Sequence, residues 1–208
     1  MADILLDVQS VASTPSAGQA VIAVNNTTKR IQTVDDAGFK RTLGYVNFST
    51  AAQVITTSRT YIAGSNILIP AGALQVGTLF RWTFDVTKSA AGTAAATYDI
   101  AFGTAGTTSD TARVSFTKPA GTAAADAGQI VITAVCRGPV GASGVVAGHF
   151  NMNHNLAATG HAVIPVVDVT TVSSAFDITT PTNIGLCLTG GASDSVTIQL
   201  VIAEAWNF

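Results

Sequence analysis

Three histidines in the second half of the chain, His149, His154 and His161, are the residues best suited to binding a metal ion. Imidazole nitrogens are common ligands of zinc and other transition metals. His149 and His154 stand five positions apart, so on one strand they would point to opposite faces of a sheet. A shared ion would need a bend between them, or ligands from three subunits around an axis. We therefore favour polar histidines on strands, each satisfied by a hydrogen bond, over a metal site, and we expect no cofactor.

Acid–base or hydrolytic chemistry has few candidate residues in this sequence. Glu204 is the single glutamate, and the one adjacent pair of aspartates, Asp35 and Asp36, stands in a segment with the residue types of a turn. Glycoside hydrolysis commonly needs two placed carboxylates. The motifs of serine hydrolases, zinc proteases, phosphate-binding loops and dithiol oxidoreductases do not occur in the chain. The sequence therefore predicts that the protein is not an enzyme, with a depolymerase as a minor alternative.

The composition favours strands and gives the protein few charges. Of the 208 residues, 48% are hydrophobic and 11% are charged, and the formal net charge is −2. Lys and Glu, the usual residues of exposed helix positions, are rare, whereas Thr, Val, Ile and Gly suit strands and tight turns. The basic residues do not cluster as nucleic-acid binding requires, and no apolar run approaches the roughly 20 residues of a membrane helix. The chain start lacks the features of a signal peptide, so we expect a protein made in a cytoplasm.

The two cysteines are predicted to be free thiols that are buried or half-buried. Cys136 has the parity of Ile130 and Ile132 in its expected strand, whereas Cys187 has the opposite parity to Leu186 and its apolar neighbours. Side chains of opposite parity point to opposite faces of a sheet. The two sulfurs are therefore not expected to meet the geometry of a disulfide.

Residues 1–50 are expected to form an attachment arm followed by a small β-meander. The first eleven residues contain apolar side chains that would form one helical turn or a docking arm, namely Ile4, Leu5, Leu6, Val8 and Val11. Strands are predicted over residues 20–24, 29–34 and 39–48, and the basic pair Lys29 and Arg30 is a second candidate for attachment. A two- or three-stranded piece this small is marginal alone. We therefore expect it to pack on a neighbouring subunit or on another protein.

From about residue 51 the sequence alternates between strands and turns. Trp82, Phe84 and Val86 lie on one face of the strand predicted over residues 80–87. Further strands are predicted over residues 98–102, 114–116, 129–137, 145–153, 161–170 and 196–202. About eight strands with this spacing indicate an antiparallel β-sandwich of jelly-roll type over residues 51–208. Pro165 cannot donate a ladder hydrogen bond, so its strand is predicted to lie at an edge.

The C-terminal strand contains one residue that does not fit its pattern. Glu204 has the parity of Ile198, Leu200 and Ile202, which are expected to face the core, so an unbroken strand would point this carboxylate inward. A lone buried carboxylate is energetically expensive. The pairing must therefore slip at a bulge, or Glu204 must meet an arginine, or the strand must already have reached solvent. A salt bridge between subunits is a further alternative, and Glu204, Trp206 and Phe208 are predicted to form a subunit interface.

Two stretches of the chain resemble proteins of bacteriophage particles. The first, residues 14–43 (TPSAGQAVIAVNNTTKRIQTVDDAGFKRTL), has a Pro-x-x-Gly-x-Ala start, a strand, a Lys-Arg strand and then Asp-Asp-Ala-Gly. It resembles the N-terminal segment of many phage tail-fibre and virion appendage proteins, where this segment serves attachment or trimer organisation. The second, residues 61–110, has Ile-Pro-x-Gly-x-Leu before the first long strand. It resembles the jelly-roll domain of phage structural proteins.

The resemblance implies a structural protein of the virion, assembled in the host bacterial cytoplasm as a homotrimer. Our first hypothesis is a capsid decoration, cement or head-fibre protein, whose residues 1–50 bind the phage major capsid protein or another virion protein. The alternative is a short tail fibre or receptor-binding tip, whose loops at residues 103–110 or 138–144 contact the host surface. The chain has no long repetitive shaft, which argues against an extended fibre. Neither hypothesis involves nucleic acid or a membrane.

Overall fold

The computed structural model describes the chain as β-strands joined by turns. The described residues are 8–9, 14, 16–25, 31–35, 40–42, 45–70, 73–139, 141–162, 166–170, 172–177, 179, 182–192 and 196–206. Within these residues there are sixteen strands and no helix. This part of the chain therefore contains no helix that is long and apolar enough to span a bilayer.

The first four strands form a small sheet of their own, in the order β1-β2-β3-β4. They are β1 (Val8–Gln9), β2 (Ala20–Asn25), β3 (Ile31–Asp35) and β4 (Lys40–Thr42). β1 is parallel to β2, and the other two pairs are antiparallel. The predicted β-meander is confirmed, and its small core contains the buried side chains of Ala23 and Val34.

The other twelve strands form two antiparallel sheets that pack face to face. The five-stranded sheet has the order β11-β10-β15-β7, with β8 also paired to β15, and the seven-stranded sheet has the order β14-β13-β12-β9-β16-β5, with β6 also paired to β16. The strands are β5 (Tyr45–Ser49), β6 (Gln53–Val54), β7 (Thr60–Tyr61), β8 (Ile67–Ile69), β9 (Leu79–Lys88), β10 (Ala96–Gly103), β11 (Thr111–Lys118), β12 (Asp126–Cys136), β13 (Val146–His154), β14 (Val166–Thr170), β15 (Thr182–Thr189) and β16 (Val196–Trp206). The predicted all-β sandwich is confirmed, while its jelly-roll connectivity stays a prediction.

Alternating apolar side chains form the core between the two sheets. On β9 the predicted inward set of Trp82, Phe84 and Val86 is buried, and the intervening residues are half-buried or exposed. The Trp82 indole Nε1 donates a 2.8 Å hydrogen bond to the Ser65 carbonyl, so its one polar atom is satisfied within the core. Burial of large aromatic side chains of this kind supplies much of the stability of a sandwich.

The five-stranded sheet is also covered at the centre of its outer face. Asp99 on β10 and Cys187 on β15 point away from the core and are nevertheless buried. The Arg59 guanidinium lies against them, and its Nε donates to Asp99 Oδ2 at 2.9 Å. Cys136 is buried in the core, and neither cysteine forms a disulfide. The prediction of two buried free thiols on different faces is therefore confirmed.

A β-bulge on β16 resolves the misfit at Glu204. The register with β9 shifts between Ile198 and Leu200, which moves the side chains that follow to the opposite face. Val201 and the next alternate residues are therefore buried, while Ile202 and Glu204 lie on the outer face. The expectation that Leu200 and Ile202 would continue the inward set is wrong, because the bulge inserts one extra residue.

Two further predictions about strands have clear outcomes. The strand predicted over residues 39–48 is two strands, and the second of them, Tyr45–Ser49, pairs with β16 in the seven-stranded sheet. These five residues therefore belong to the sandwich and not to the N-terminal sheet. β14 is an edge strand of the seven-stranded sheet, as predicted from Pro165. Pro165 itself lies outside the described residues.

Candidate interaction face

The three histidines do not converge on one site. His149 is exposed on the outer face of the seven-stranded sheet, whereas His154 points to the other side of the same strand, as their spacing predicts. The rings of His154 and His161 lie 6.3 Å apart, centroid to centroid. Among the described residues, no three His, Cys, Asp or Glu side chains form a group that could hold a metal ion.

His154 forms a buried hydrogen bond at one end of the sandwich. Its Nδ1 lies 2.8 Å from Asp126 Oδ2, and both side chains are almost fully shielded from solvent. The backbone N–H of His161 donates to the same oxygen at 3.0 Å, and that of Ala127 donates to Oδ1 at 2.9 Å. Burial alone would raise the pKa of Asp126, but these hydrogen bonds outweigh it and hold the pKa below its usual range. The carboxylate therefore fastens the segment around His161 to β12.

His161 is fully buried, and neither ring nitrogen has a hydrogen-bond partner among the described residues. Burial lowers the pKa of His161 to about 4; Asp126 opposes this shift, and the nearby cations of Lys118 and Lys88 add to it. Lys118 Nζ donates to the His161 carbonyl at 2.9 Å. The expectation of a satisfied polar histidine is therefore wrong for His161, and the cluster acts as a brace between loops.

The outer face of the seven-stranded sheet is the broadest candidate site in the described part of the chain. All seven strands contribute to it, and one row of side chains crosses six of them in register: Phe48, Ile202, Thr83, Val131, Asn151 and Val167. The neighbouring row is Val46, Glu204, Arg81, Thr133, His149 and Val169. These two rows are therefore largely apolar or uncharged, apart from the charged pair and the histidine in the second row.

The charged pair of this face is formed within one chain. Arg81 Nε lies 3.2 Å from Glu204 Oε2, on adjacent strands, and the Arg81 side chain is half exposed. This contact explains how the single glutamate is accommodated on a half-buried strand. The sequence-based alternatives of a bulge and an arginine partner are both confirmed.

The most exposed large apolar side chains of the face lie at its two edges. At one edge, Val46 and Phe48 on β5 are 59% and 65% exposed, and Val54 on β6 is 70% exposed; we call these three residues the β5 patch. At the other edge, Val167 and Val169 on β14 are 62% and 61% exposed; we call them the β14 patch. Val46 and Phe48 are alternate residues of one strand and so are Val167 and Val169, so each pair places its apolar side chains side by side; large patches of such groups usually mark contacts with other molecules.

A shallow hollow of about 280 Å³ adjoins the β14 patch. It lies on the outer face over β12 and β13, and its lining is formed by Thr133, Val135, Arg137, Ala147, Gly148, His149, Val169 and Thr170. Arg137 and His149 place basic groups in this lining, beside apolar carbon from Val135 and Ala147. The β14 edge therefore combines an apolar depression with nearby basic side chains.

A second concave surface of about 420 Å³ occupies the polar end of the same face. Its side chains already hydrogen-bond one another: Gln129 Nε2 donates to Asp85 Oδ1 at 3.2 Å, and Gln199 Nε2 donates to Thr87 Oγ1 at 2.8 Å. Polar groups that satisfy each other lower the gain from burying this end against a partner. The apolar half is thus the better candidate for a tight contact.

The residues proposed from the sequence have different outcomes. Glu204 and Trp206 both lie half-buried on the outer face, and their role in a subunit interface stays a prediction. Val8 belongs to the two-residue strand β1 and pairs with Val24. The other proposed attachment and interface residues lie outside the described residues: Ile4, Leu5, Leu6, Val11, Lys29, Arg30 and Phe208.

Sequence reasoning missed the two edge patches. The run Val166-Val167-Asp168-Val169 contains apolar residues of both parities, which is a signal that both faces of a strand need cover. The β5 patch has a weaker signal, because Val46 and Phe48 alternate with Asn47 and look like an ordinary inward set. Only the pairing of β5 with β16 shows that Asn47 points inward and the apolar residues outward.

Comparison with known proteins finds no family model, no curated protein and no solved structure that matches this chain.

Proposed function

We propose that this protein is a non-enzymatic structural component of a bacteriophage particle, a capsid decoration, cement or head-fibre protein that binds the capsid surface as a homotrimer. The observation that carries the proposal is the outer face of the seven-stranded sheet, with exposed apolar patches at both edges. Covering this face removes apolar surface from water. Each Å² of apolar surface that is removed contributes about 25 cal/mol of favourable free energy.

The small N-terminal sheet supports an attachment role for the first part of the chain. Ile22 on β2 and Ile31 on β3 are 56% and 40% exposed. The register pairs Ile22 with Thr33 and Ile31 with Val24, so both isoleucines lie on the face opposite the buried Ala23 and Val34. This face is suited to burial against another virion protein. The assignment to phage particles rests on the resemblance of residues 14–43 and 61–110 to virion proteins.

A braced loop favours the alternative, a short tail fibre or receptor-binding tip on the host surface. The Asp110 carboxylate accepts hydrogen bonds from the backbone N–H groups of Ala105 at 3.1 Å and Gly106 at 2.7 Å. Arg59 Nη1 donates to the carbonyls of Thr108 at 2.6 Å and Asp110 at 2.9 Å. The exposed loop at residues 103–110 is therefore held in one shape, which lowers the entropy lost on binding.

Sedimentation with purified particles tests the proposal and separates it from the alternative. The full-length protein should pellet with empty capsids and not with host cells. The double variant Ile22→Asp/Ile31→Asp should lose capsid binding, because it places two charges in the proposed contact. Leu68→Asp, which changes a 48% exposed side chain on the sandwich, is the matched control and should still pellet. Pelleting with cells alone would favour the receptor-binding alternative, and pelleting with neither would refute both.

A further inference from the structure

The two apolar patches lie at opposite edges of one sheet and have different shapes. Phe48 protrudes from the β5 patch, whereas the β14 patch adjoins the 280 Å³ hollow. The row that joins them crosses six strands, so the patches are separated by about 24 Å at the usual spacing of strands. A single globular partner bound at one position would cover one patch and leave the other exposed. A second and a third copy of this chain would cover both.

We propose that Phe48 of one copy packs into the hollow beside Val169 of the next copy, and that this head-to-tail contact closes a ring of three chains. The proposal deepens the proposed function, because it rests on the homotrimer and identifies the surfaces that form it. A contact between two different patches is heterologous, and such contacts produce closed rings when the rotation closes.

Charge is complementary across the proposed contact. Glu204 is the direct cross-strand neighbour of Val46, so a carboxylate lies beside the β5 patch. Arg137 and His149 line the hollow at the other edge. Docking the β5 patch on the hollow brings the acidic side chain of one copy towards the Arg137 guanidinium of the next. Such an arrangement favours this register over contacts between two identical edges.

The same charges argue against stacking two whole faces about a two-fold axis. That arrangement would bury the centre of the face, including Arg81, whose side chain is 51% exposed. Burying charged groups without new partners is strongly unfavourable. A contact confined to the edges leaves the Arg81 guanidinium in solvent.

The size of the contact predicts a trimer that dissociates on dilution. The β5 patch contains three large apolar side chains and the β14 patch contains two. A contact built on so few side chains is smaller than the roughly 1,200–2,000 Å² that standard stable interfaces bury. We therefore expect the native mass to fall from about three times 21.1 kDa to the mass of one chain when the protein is diluted.

Cysteine cross-linking of the full chain tests the contact directly. Both native thiols are buried, so introduced cysteines dominate the reaction, and a disulfide forms when two Cα atoms approach within about 7 Å. The double variant Phe48→Cys/Val169→Cys should give covalent dimers and trimers under mild oxidation, and a trimer should be the largest product. Each single variant should stay monomeric on a non-reducing gel. The control Ser109→Cys/Val169→Cys, with an exposed serine on the loop at 103–110, should not cross-link.

The possible failures are distinguishable. Absence of cross-links in a protein whose native mass is trimeric overturns this contact and leaves the homotrimer in place. A covalent dimer as the largest product, or cross-linking by Phe48→Cys alone, overturns the ring and indicates two-fold contacts. A wild-type protein that is monomeric at every concentration overturns both the contact and the homotrimer, whereas capsid binding is judged separately by sedimentation.

Discussion

Acidification should destabilise the sandwich through His161. The folded protein holds this buried ring neutral with a pKa of about 4, against an ordinary value of 6.5. Between these two values the unfolded chain binds a proton that the folded chain does not, so the free energy of unfolding falls as the pH is lowered. The stability that the neutral His161 ring contributes to the folded protein is complete above pH 6.5 and is lost by pH 4. A difference of about 2.5 pKa units corresponds to about 3 kcal/mol.

Urea unfolding at constant ionic strength between pH 7.5 and pH 4 measures this loss. The variant His161→Leu removes the titrating group and should flatten the dependence in this window. His149→Ala is the matched control, since His149 is exposed on β13, and it should retain the wild-type slope. The groups around His161, namely His154, Asp126, Lys118 and Lys88, are unchanged in both variants.

Two results would refute this reasoning. The first is a wild-type pH dependence in His161→Leu, which would mean that other groups cause the acid sensitivity. The second is an NMR titration of native His161 with a pKa near 6.5, which would mean that the ring is solvated. The NMR measurement needs no variant, so the prediction can be tested even if His161→Leu fails to fold.

Three further predictions concern the ion pairs and the thiols. Arg59→Ala should lower the free energy of unfolding by about 3 kcal/mol in urea titrations, because it leaves the buried Asp99 carboxylate unpaired; an unchanged value would show that Asp99 is solvated. Arg81→Ala, which breaks the more exposed pair with Glu204, is its control and should cost less than about 1 kcal/mol. Neither native thiol should react with a thiol reagent before unfolding, because both are buried and burial raises the pKa of Cys187 to about 12; rapid labelling of the native protein would contradict this burial.

Much of the fold could be predicted because strand periodicity is local. Alternation on β9 and the parity of Cys136 each depend on a few adjacent residues, and each gave the correct structure. The low content of Glu and Lys agrees with the absence of helix among the described residues. The candidate site was predicted less well, because Val46 and Phe48 show the same alternation whichever face they occupy. Their exposure depends on the partner strand, β16, which lies about 150 residues away in the chain.

The sequence by itself determined the class of fold, because side-chain parity along each strand selects a two-layered β structure around an apolar core. The tertiary structure alone decided where that parity breaks and which side chains lie on each outer face. The bulge between Ile198 and Leu200 reverses the facing of the last strand, and the pairing of β5 with that strand turns Phe48 outward. Both are consequences of register between distant strands, which no local pattern encodes. The same long-range register brings Arg81 to Glu204 and the Asp126 carboxylate to the buried segment around His161.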